Sequence, residues 1–363
     1  MYKTFQIQHF RGFEQFQIKD LRRINVIGGL NNIGKTCLLE AIFIHAGFGN
    51  AELLLRTNFW RGLLPIATSA QSAVKDFIGA SFYRYETITP FVLESLDDVG
   101  KKRRTKVTAA TEWETQVTST IASEKETGQQ QMGLTLNLGK LTFEEDGAIT
   151  QEHNILLQTA KGQMNVRVEP TAKPGAFPCN FLHTRQPYVH AEDANLYSML
   201  RRDGKDELIL EALRAIDATI EGIEVLSPGG TPIMFVRRSK GIKLLPLPLL
   251  GDGAVRLVNY ILKMALSSLG IILIDEFGFD FHYSVLPSVW EVIHKAANLF
   301  QTQVICTTHS LETVESAYLK FTQQQVTNDF QYIRLEKTND HVEGVQYDPE
   351  SLRLAIEKRF EVR

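Results

Sequence analysis

The sequence has little of what marks a secreted or strongly charged protein. Its 363 residues include only 3 cysteines, scattered at Cys37, Cys179 and Cys306. A disulfide framework or a zinc site needs more cysteines at closer spacing, so these residues indicate reduced thiols. The 39 basic and 42 acidic residues leave a formal net charge of −3. The overall charge therefore does not draw the chain to nucleic acid, and such a contact would have to come from a local patch.

Long apolar runs are also missing. The most apolar stretches, Ile242–Leu250 and Leu269–Ile274, are far shorter than the roughly 20 residues that a membrane helix needs. The segment Met1–Phe10 alternates apolar and polar side chains like a strand and lacks the continuous apolar block of a secretory signal. We therefore expect a cytoplasmic globular protein with no membrane partner. At roughly 150 residues per domain, its length allows two or three domains, or one large α/β domain with an insertion.

The order of strand-like and helix-like segments favours an α/β fold. Residues 1–100 contain strand patterns followed by helix patterns, and we interpret them as the N-terminal half of one domain. The predicted strands are Lys3–His9, Phe13–Lys19 and Arg23–Gly28, and the predicted helices are Lys35–Ala46, Ala51–Phe59 and Ser69–Ile78. Residues 173–363 alternate buried strands with helices, which indicates a parallel sheet covered on both faces and forms the C-terminal half.

Residues 101–172 differ in composition from the segments on either side. They are rich in Thr, Gln, Glu and Gly, and their apolar residues alternate with polar ones. This pattern predicts a β-rich antiparallel insertion between the two halves. A flexible linker is the competing interpretation.

The strongest motif is the segment Gly29–Thr36, which matches the phosphate-binding pattern G-x-x-x-x-G-K-[ST]. It follows a predicted strand and opens a predicted helix, so its backbone N–H groups and the helix N-terminus can cradle phosphate. We expect Lys35 to reach the β- and γ-phosphates and the Thr36 hydroxyl to hold Mg²⁺. The other nucleotide contacts predicted from this loop are Gly29, Asn31, Asn32, Ile33, Gly34 and Cys37.

Two adjacent carboxylates end the apolar run Ile271–Ile274. Because such a strand is buried on both faces, its carboxyl end is expected beside the phosphate loop of a neighbouring strand. Asp275 is predicted to hold Mg²⁺ through water. Glu276 is predicted to accept a proton from the attacking water, as a general base does.

Together these motifs resemble the stand-alone ABC-type ATPases related to RecF, to the structural-maintenance-of-chromosomes (SMC) proteins and to OLD-family nucleases. The resemblance rests on His9–Phe13, Gly29–Thr36, Leu250–Arg256, Leu273–Glu276 followed by His282–Pro287, and Thr307–Ser310. It implies a P-loop NTPase fold of the ABC-head type, with a mixed sheet and a helical lobe. It also implies ATP and Mg²⁺ as cofactors and His309 as a switch histidine that contacts the γ-phosphate.

The resemblance further implies a head-to-head homodimer, or a higher oligomer, with two ATP molecules sandwiched between copies. Each phosphate loop would face the partner's signature segment, here Leu250–Arg256, with Gly253 and Asp252 near the γ-phosphate. Gly251 stands where the family usually has a serine, so only backbone donors remain there. Phe277–Asp280 also replaces the residues that usually follow the catalytic glutamate.

Two more residue roles are implied by the resemblance alone. Arg11 would lie near the adenine or ribose, and Gln186 would be the glutamine that senses the metal. Separately, Lys101–Arg104 is a dense basic run. It could contact nucleic-acid phosphates, or it could be a solvated loop.

The favoured function is an ATPase that serves as a sensor or regulatory subunit and controls a separate nuclease or toxin, as in anti-phage systems resembling Septu or PARIS. Because few residues follow His309, we expect no Toprim nuclease domain of the kind that OLD-type proteins append. The alternative function is a RecF-like clamp on duplex DNA. An ATP-binding scaffold that does not hydrolyse ATP also stays open, whereas nothing resembles the usual signature of a transporter ATPase.

Overall fold

An antiparallel sheet forms the first layer of the molecule. The computed structural model describes residues 1–48, 50, 52–63, 77–110, 115–119, 132–160, 163–170, 177–183, 188–242, 244–339 and 341–358. The strands of this sheet are β1 (Tyr2–Phe10), β2 (Phe13–Ile18), β4 (Phe91–Asp97), β5 (Lys102–Ala109), β6 (Thr115–Ser119), β7 (Met132–Glu145), β8 (Ala148–Ala160) and β9 (Gln163–Glu169). Their order is β2-β1-β4-β5-β7-β8-β9, with β6 paired to β7.

A second sheet carries the phosphate loop. Its strands, in spatial order, are β10 (Cys179–Leu182), β14 (Ile271–Ile274), β15 (Gln303–Thr307), β3 (Ile24–Gly29), β16 (Phe330–Thr338) and β17 (His341–Tyr347). Neighbouring strands from β10 to β16 are parallel, and β17 is antiparallel to β16. Parallel strands end at the same edge of a sheet, so the residues that follow β14, β15 and β3 meet there.

Helices cover this sheet, and a small third sheet completes the described structure. The helices are α1 (Lys35–Ala46), α2 (Glu52–Trp60), α3 (His190–Arg202), α4 (Glu207–Ile216), α5 (Asp252–Leu266), α6 (Leu286–Leu299), α7 (Leu311–Gln323) and α8 (Pro349–Glu357). The small sheet consists of β11 (Ile220–Leu226), β12 (Ile233–Arg238) and β13 (Leu244–Pro246). In the part of the chain that the structure describes, no helix has the length and apolarity to cross a membrane.

Successive side chains of β14 pack into two different apolar cores. Ile271 and Leu273 join the core that contains α1 and the antiparallel sheet. Ile272 and Ile274 join the core that contains α5, α6 and α7. Because neighbouring residues of a strand point to opposite faces, the phosphate-loop helix and the signature helix α5 lie on opposite faces of the sheet.

The segment predicted as a separate insertion belongs to a larger sheet. Its strands begin at β5, which pairs with β4, and β4 in turn pairs with β1 at the start of the chain. The boundary predicted at residue 101 therefore falls inside one sheet. Alternation of apolar residues identifies strands but not their partners, which explains the difference. Most of the helix predicted at Ser69–Ile78 lies outside the described residues.

Candidate functional site: the phosphate loop and the adjoining strand ends

The phosphate loop joins β3 to α1 through two glycines with left-handed backbone angles. Gly29 has φ 135° and Gly34 has φ 112°. A Cβ atom at Gly29 would lie 2.8 Å from the carbonyl oxygen of Leu335, and one at Gly34 would lie 3.1 Å from the ring of Phe13. Glycine is therefore required at both positions. The loop is held against β16 on one side and against the start of β2 on the other.

Lys35 folds back over its own loop. Its Nζ donates hydrogen bonds to the carbonyl oxygens of Gly29 at 2.6 Å and Leu30 at 2.9 Å. Burial lowers the pKa of the ammonium group, and the negative charges of Asp275 and Glu276 act against that shift. The lysine charge is thus positioned at the mouth of the loop, beside the two carboxylates.

Asp275 connects three elements at the end of the sheet. Thr36 Oγ1 lies 3.2 Å from Asp275 Oδ1 and 3.0 Å from Oδ2. Thr307 Oγ1 donates to Asp275 Oδ1 at 2.7 Å. Asp275 as a whole residue is only 4% exposed. A threonine hydroxyl and a carboxylate side by side are the oxygen ligands that Mg²⁺ uses, so this donor set fits that ion.

Glu276 leaves the line of β14 immediately after Asp275. Its backbone is left-handed, with φ 55°, and its backbone N–H donates to Thr307 Oγ1 at 2.9 Å. Glu276 is exposed to solvent. The next amide, that of Phe277, donates to the Thr307 carbonyl oxygen at 2.7 Å. The sharp turn directs the glutamate away from the buried strand, where it can reach water.

The strand register places the histidine motif at the same edge. Ile274 pairs with Cys306, and Thr307 pairs with Ile27. His309 follows two residues after Thr307, and its ring centre lies 6.3 Å from that of Phe279. The predicted phosphate loop, carboxylate pair and histidine are therefore brought together at one sheet edge.

Thr307 begins the histidine motif Thr307–Ser310, and it has a positioning role in the site that the sequence does not predict. Its hydroxyl accepts from the Glu276 amide and donates to Asp275, so one side chain orients both predicted acidic residues. The available signal is its position as the last residue of β15, one residue beyond Cys306, which pairs with Ile274. That signal depends on knowing that β14 and β15 are neighbours.

The signature helix and the phosphate-loop helix lie on opposite faces of the second sheet. Gly251 precedes α5 with φ 114°, and a Cβ at Gly253 would lie 2.8 Å from the Asp280 carbonyl oxygen. α5 packs in the core opposite to the one that contains α1, and the described neighbours of Gly253 are Asp280 and Phe281.

Arg11 is buried in an internal ion-pair cluster. Its guanidinium donates to Glu40 at 2.5 Å, to Asn58 at 2.9 Å and to Thr57 at 3.2 Å. Arg61 also binds Glu40, at 2.7 and 2.8 Å. Glu40 is one turn along α1 from Thr36, so the cluster supports the phosphate-loop helix. These contacts do not test whether Arg11 also contacts a nucleotide, so that role stays a prediction. The predicted metal-sensing residue Gln186 lies outside the described residues.

Three of the four residues of the basic run, Lys102 to Arg104, lie in strand β5, and Lys101 directly precedes it. Arg103 pairs with Asp97 at 3.0 Å and with Glu145 at 3.3 Å. Arg104 lies 3.1 Å from Glu94 on the neighbouring strand. Acidic side chains on both adjoining strands thus oppose these charges, as in other cross-strand ion pairs. The arrangement favours a structural role for the run over contact with nucleic-acid phosphates.

Two comparisons with known sequences find similarity over parts of the chain. The profile of the family described as "AAA domain, putative AbiEii toxin, Type IV TA system" matches residues 170–315. An uncharacterised protein of Methanocaldococcus jannaschii, MJECL10, is 36% identical over 67 residues, which is 17% of this chain. The chain covers 31% of the length of that relative.

The fold is that of an SMC head, a P-loop ATPase fold. A crystal structure of the SmcHead bound to the C-winged helix domain of ScpA superposes with a TM-score of 0.50 and 10% sequence identity. The alignment covers 96% of this chain and 98% of that one. The SMC head domain from Thermotoga maritima, at 14% identity, gives a TM-score of 0.42 with 96% and 99% coverage. The predicted α/β head of the ABC type is confirmed.

Proposed function

We propose that this protein binds ATP with Mg²⁺ and hydrolyses it to ADP and phosphate. The observation that carries the proposal is the hydrogen-bonded chain Thr36–Asp275–Thr307–Glu276, which joins the phosphate loop to the acidic strand end. A loop with this pattern, an oxygen donor set for Mg²⁺ and an accessible carboxylate are the parts that phosphoryl transfer requires.

Each residue has a defined task in this proposal. The amides of the phosphate loop and the Lys35 ammonium bind the phosphates, and Lys35 exchanges its bonds to Gly29 and Leu30 for phosphate oxygens. Thr36 and Asp275 hold Mg²⁺, which neutralises charge on the β- and γ-phosphates when bound. Glu276 accepts the proton of the attacking water. His309 contacts the γ-phosphate.

ATP binding is proposed to bring two copies of the chain together. The position of α5 and α1 on opposite faces of the sheet supports this arrangement, because a second copy could bring its signature segment to the phosphate loop. Two such contacts related by a two-fold axis would enclose two nucleotides.

We further infer that the ATPase acts in the cytoplasm as a sensor or regulatory subunit, with a separate nuclease or toxin as effector in anti-phage defence. Two findings support this setting. The matching family carries a toxin–antitoxin description, and the similar SMC head was crystallised with a partner domain bound. Membership of the OLD and RecF-related class is part of the same proposal.

Three proteins compared in one phosphate-release assay test the proposed activity. Wild type should release phosphate, whereas Lys35→Ala should neither bind ATP nor release phosphate. Glu276→Gln should bind ATP and release almost none. Equal release from wild type and Glu276→Gln would contradict the role of Glu276 as the base. Co-purification of the chain with the product of an adjacent gene, with and without ATP, tests the partner.

A further inference from the structure

A third strand end borders the Mg²⁺ donor set, on the side of β14 away from β15. The last residue of β10, Leu182, pairs with Ile274, and its carbonyl oxygen accepts a hydrogen bond from the Asp275 amide at 3.0 Å. His183 follows directly and lies at the level of Asp275, on a strand about 4.8 Å away, which is the usual spacing in a sheet. Asp275 is therefore flanked by Thr307 on one side and by His183 on the other.

The His183 side chain points to the face of the sheet that carries α1. Its ring centre lies 5.6 Å from that of Phe181, which belongs to the core containing α1, and residues two apart in a strand share a face. The Asp275 carboxylate reaches the same helix, because it contacts the Thr36 hydroxyl at 3.0 Å. The imidazole and the carboxylate are thus neighbours on one face of the sheet.

Two aromatic rings fix the orientation of the His183 imidazole. The Trp60 indole stacks on it with ring centres 5.9 Å apart and an interplanar angle of 25°, and the Phe181 ring meets it edge-on at 75°. Trp60 itself packs 5.3 Å from Phe43 of α1 and 5.5 Å from Phe181, measured between ring centres. An imidazole that is held by its face keeps both nitrogens at its edge, where they can form hydrogen bonds.

The end of α2 that carries Trp60 is fastened to the phosphate-loop helix. The next residue, Arg61, donates to Glu40 at 2.7 and 2.8 Å and to the Cys37 sulfur at 3.2 Å. Cys37 directly follows Thr36 in α1. The support of the imidazole therefore has a fixed position relative to the helix that carries Thr36.

We propose that His183 is a positioning residue for the Mg²⁺ donor set: when ATP and Mg²⁺ bind, its imidazole N–H donates to the Asp275 carboxylate from the side opposite to Thr307. The inference rests on the proposed binding of ATP with Mg²⁺ and adds a residue that none of the sequence motifs contains. Groups that hydrogen-bond a metal ligand orient it, and removing them typically weakens metal binding about 10- to 100-fold. His183 thereby sets how much Mg²⁺ strengthens the binding of ATP.

The test is a calorimetric titration of ATP into the full chain carrying Glu276→Gln, chosen to keep ATP intact, once in excess Mg²⁺ and once in EDTA. The ratio of the two affinities is the gain from Mg²⁺. Adding His183→Phe keeps a ring on Trp60 but removes the N–H, and it should reduce this gain about 10- to 100-fold while the affinity in EDTA stays the same. His183→Gln supplies an amide N–H and should recover most of the gain. The matched control His341→Phe, at an exposed histidine of β17, should keep all of it.

The outcomes separate this inference from the proposed function. An undiminished gain in His183→Phe, or no recovery in His183→Gln, overturns the positioning role and leaves the proposed ATP site intact. Equal weakening in Mg²⁺ and in EDTA also overturns it, because a purely structural role of His183 has that effect. A parent that gains nothing from Mg²⁺, or that does not bind ATP, overturns the proposed function and this inference with it.

Discussion

The Thr36 hydroxyl lies 3.0 Å from an Asp275 carboxylate oxygen and so joins two motifs separated by 239 positions in the sequence. The contact is possible because β3 and β14 flank β15 in one parallel sheet, so all three end at the same edge. It places a Mg²⁺-type donor pair at the mouth of the phosphate loop.

Replacing Lys35 should remove nucleotide binding. Its ammonium is the buried positive charge of the loop, and hydrogen bonds to charged groups contribute about 1.5–3 kcal/mol each. Calorimetric titration of ATP into Lys35→Ala should therefore show affinity at least about 100-fold weaker. Lys205→Ala, at an exposed position, is the matched control and should bind like wild type. Equal affinities in the two variants would remove Lys35 from the site.

Thr307 should matter for turnover more than for ATP binding. Thr307→Val keeps the shape but loses the hydroxyl that holds both Asp275 and the Glu276 amide. We expect phosphate release to fall about 10- to 100-fold, which is less than the roughly 10²–10⁴-fold that general-base catalysis contributes, because Glu276 itself is still present. Thr307→Ser should recover most of the rate because it restores the hydroxyl. Full activity in the valine variant would show that this hydroxyl does not position the carboxylates.

Arg11 should contribute to stability through Glu40. Removing one partner of a buried ion pair typically costs about 3–5 kcal/mol, and Arg61 still binds Glu40 in the variant. Urea unfolding should therefore show that Arg11→Met lowers the free energy of unfolding by an amount near the lower end of that range. The double variant Arg11→Met/Glu40→Gln should recover part of it. Unchanged stability combined with weaker ATP binding would instead support the nucleotide contact implied by the family resemblance.

The buried histidine at the end of α1 should make stability depend on pH. Burial, aided by the positive charge of Arg103, lowers the pKa of His45 from 6.5 to about 3. Its ring nitrogens contact the hydroxyls of Thr105 and Ser95 at 2.9 and 2.8 Å. The unfolded chain takes up a proton below pH 6.5, whereas the folded protein does so only near pH 3. His45 thus favours the folded state above pH 6.5, and this contribution is lost as the pH falls from 6.5 towards 3.

Urea unfolding at pH 7 and pH 5 measures this effect. From pH 7 to pH 5, His45 should lower the free energy of unfolding by about 2 kcal/mol, since one pKa unit corresponds to about 1.4 kcal/mol. His45→Gln should show a correspondingly smaller difference between the two pH values. His282→Gln removes an exposed histidine and should keep the wild-type dependence. The same pH dependence in His45→Gln and wild type would contradict a neutral buried His45.

Local sequence patterns predicted much of the fold. The helix predicted at Lys35–Ala46 has the observed bounds, because its start is fixed by the glycine-lysine motif and its body by apolar residues. The strand before Asp275 was equally clear from four consecutive apolar residues. These features depend on neighbours in the sequence, which a single chain displays directly.

Pairings between distant segments could not be predicted in the same way. The sheet continues from β4 into β5 across the predicted boundary at residue 101, since alternation does not encode strand order. Likewise, Glu40 gives no sign in the sequence that it binds Arg11. The role of Thr307 depends on a neighbouring strand end in the same way. The motifs predicted which residues form the site, but the side chains that position those residues could be identified only from the three-dimensional structure.

Phosphate release by Glu276→Gln, measured together with its oligomeric state, tests the central proposal most directly. The account predicts that this variant binds ATP as wild type does, releases phosphate at a small fraction of the wild-type rate and accumulates as an ATP-bound dimer. The account would be contradicted if Glu276→Gln released phosphate at the wild-type rate and remained monomeric with ATP.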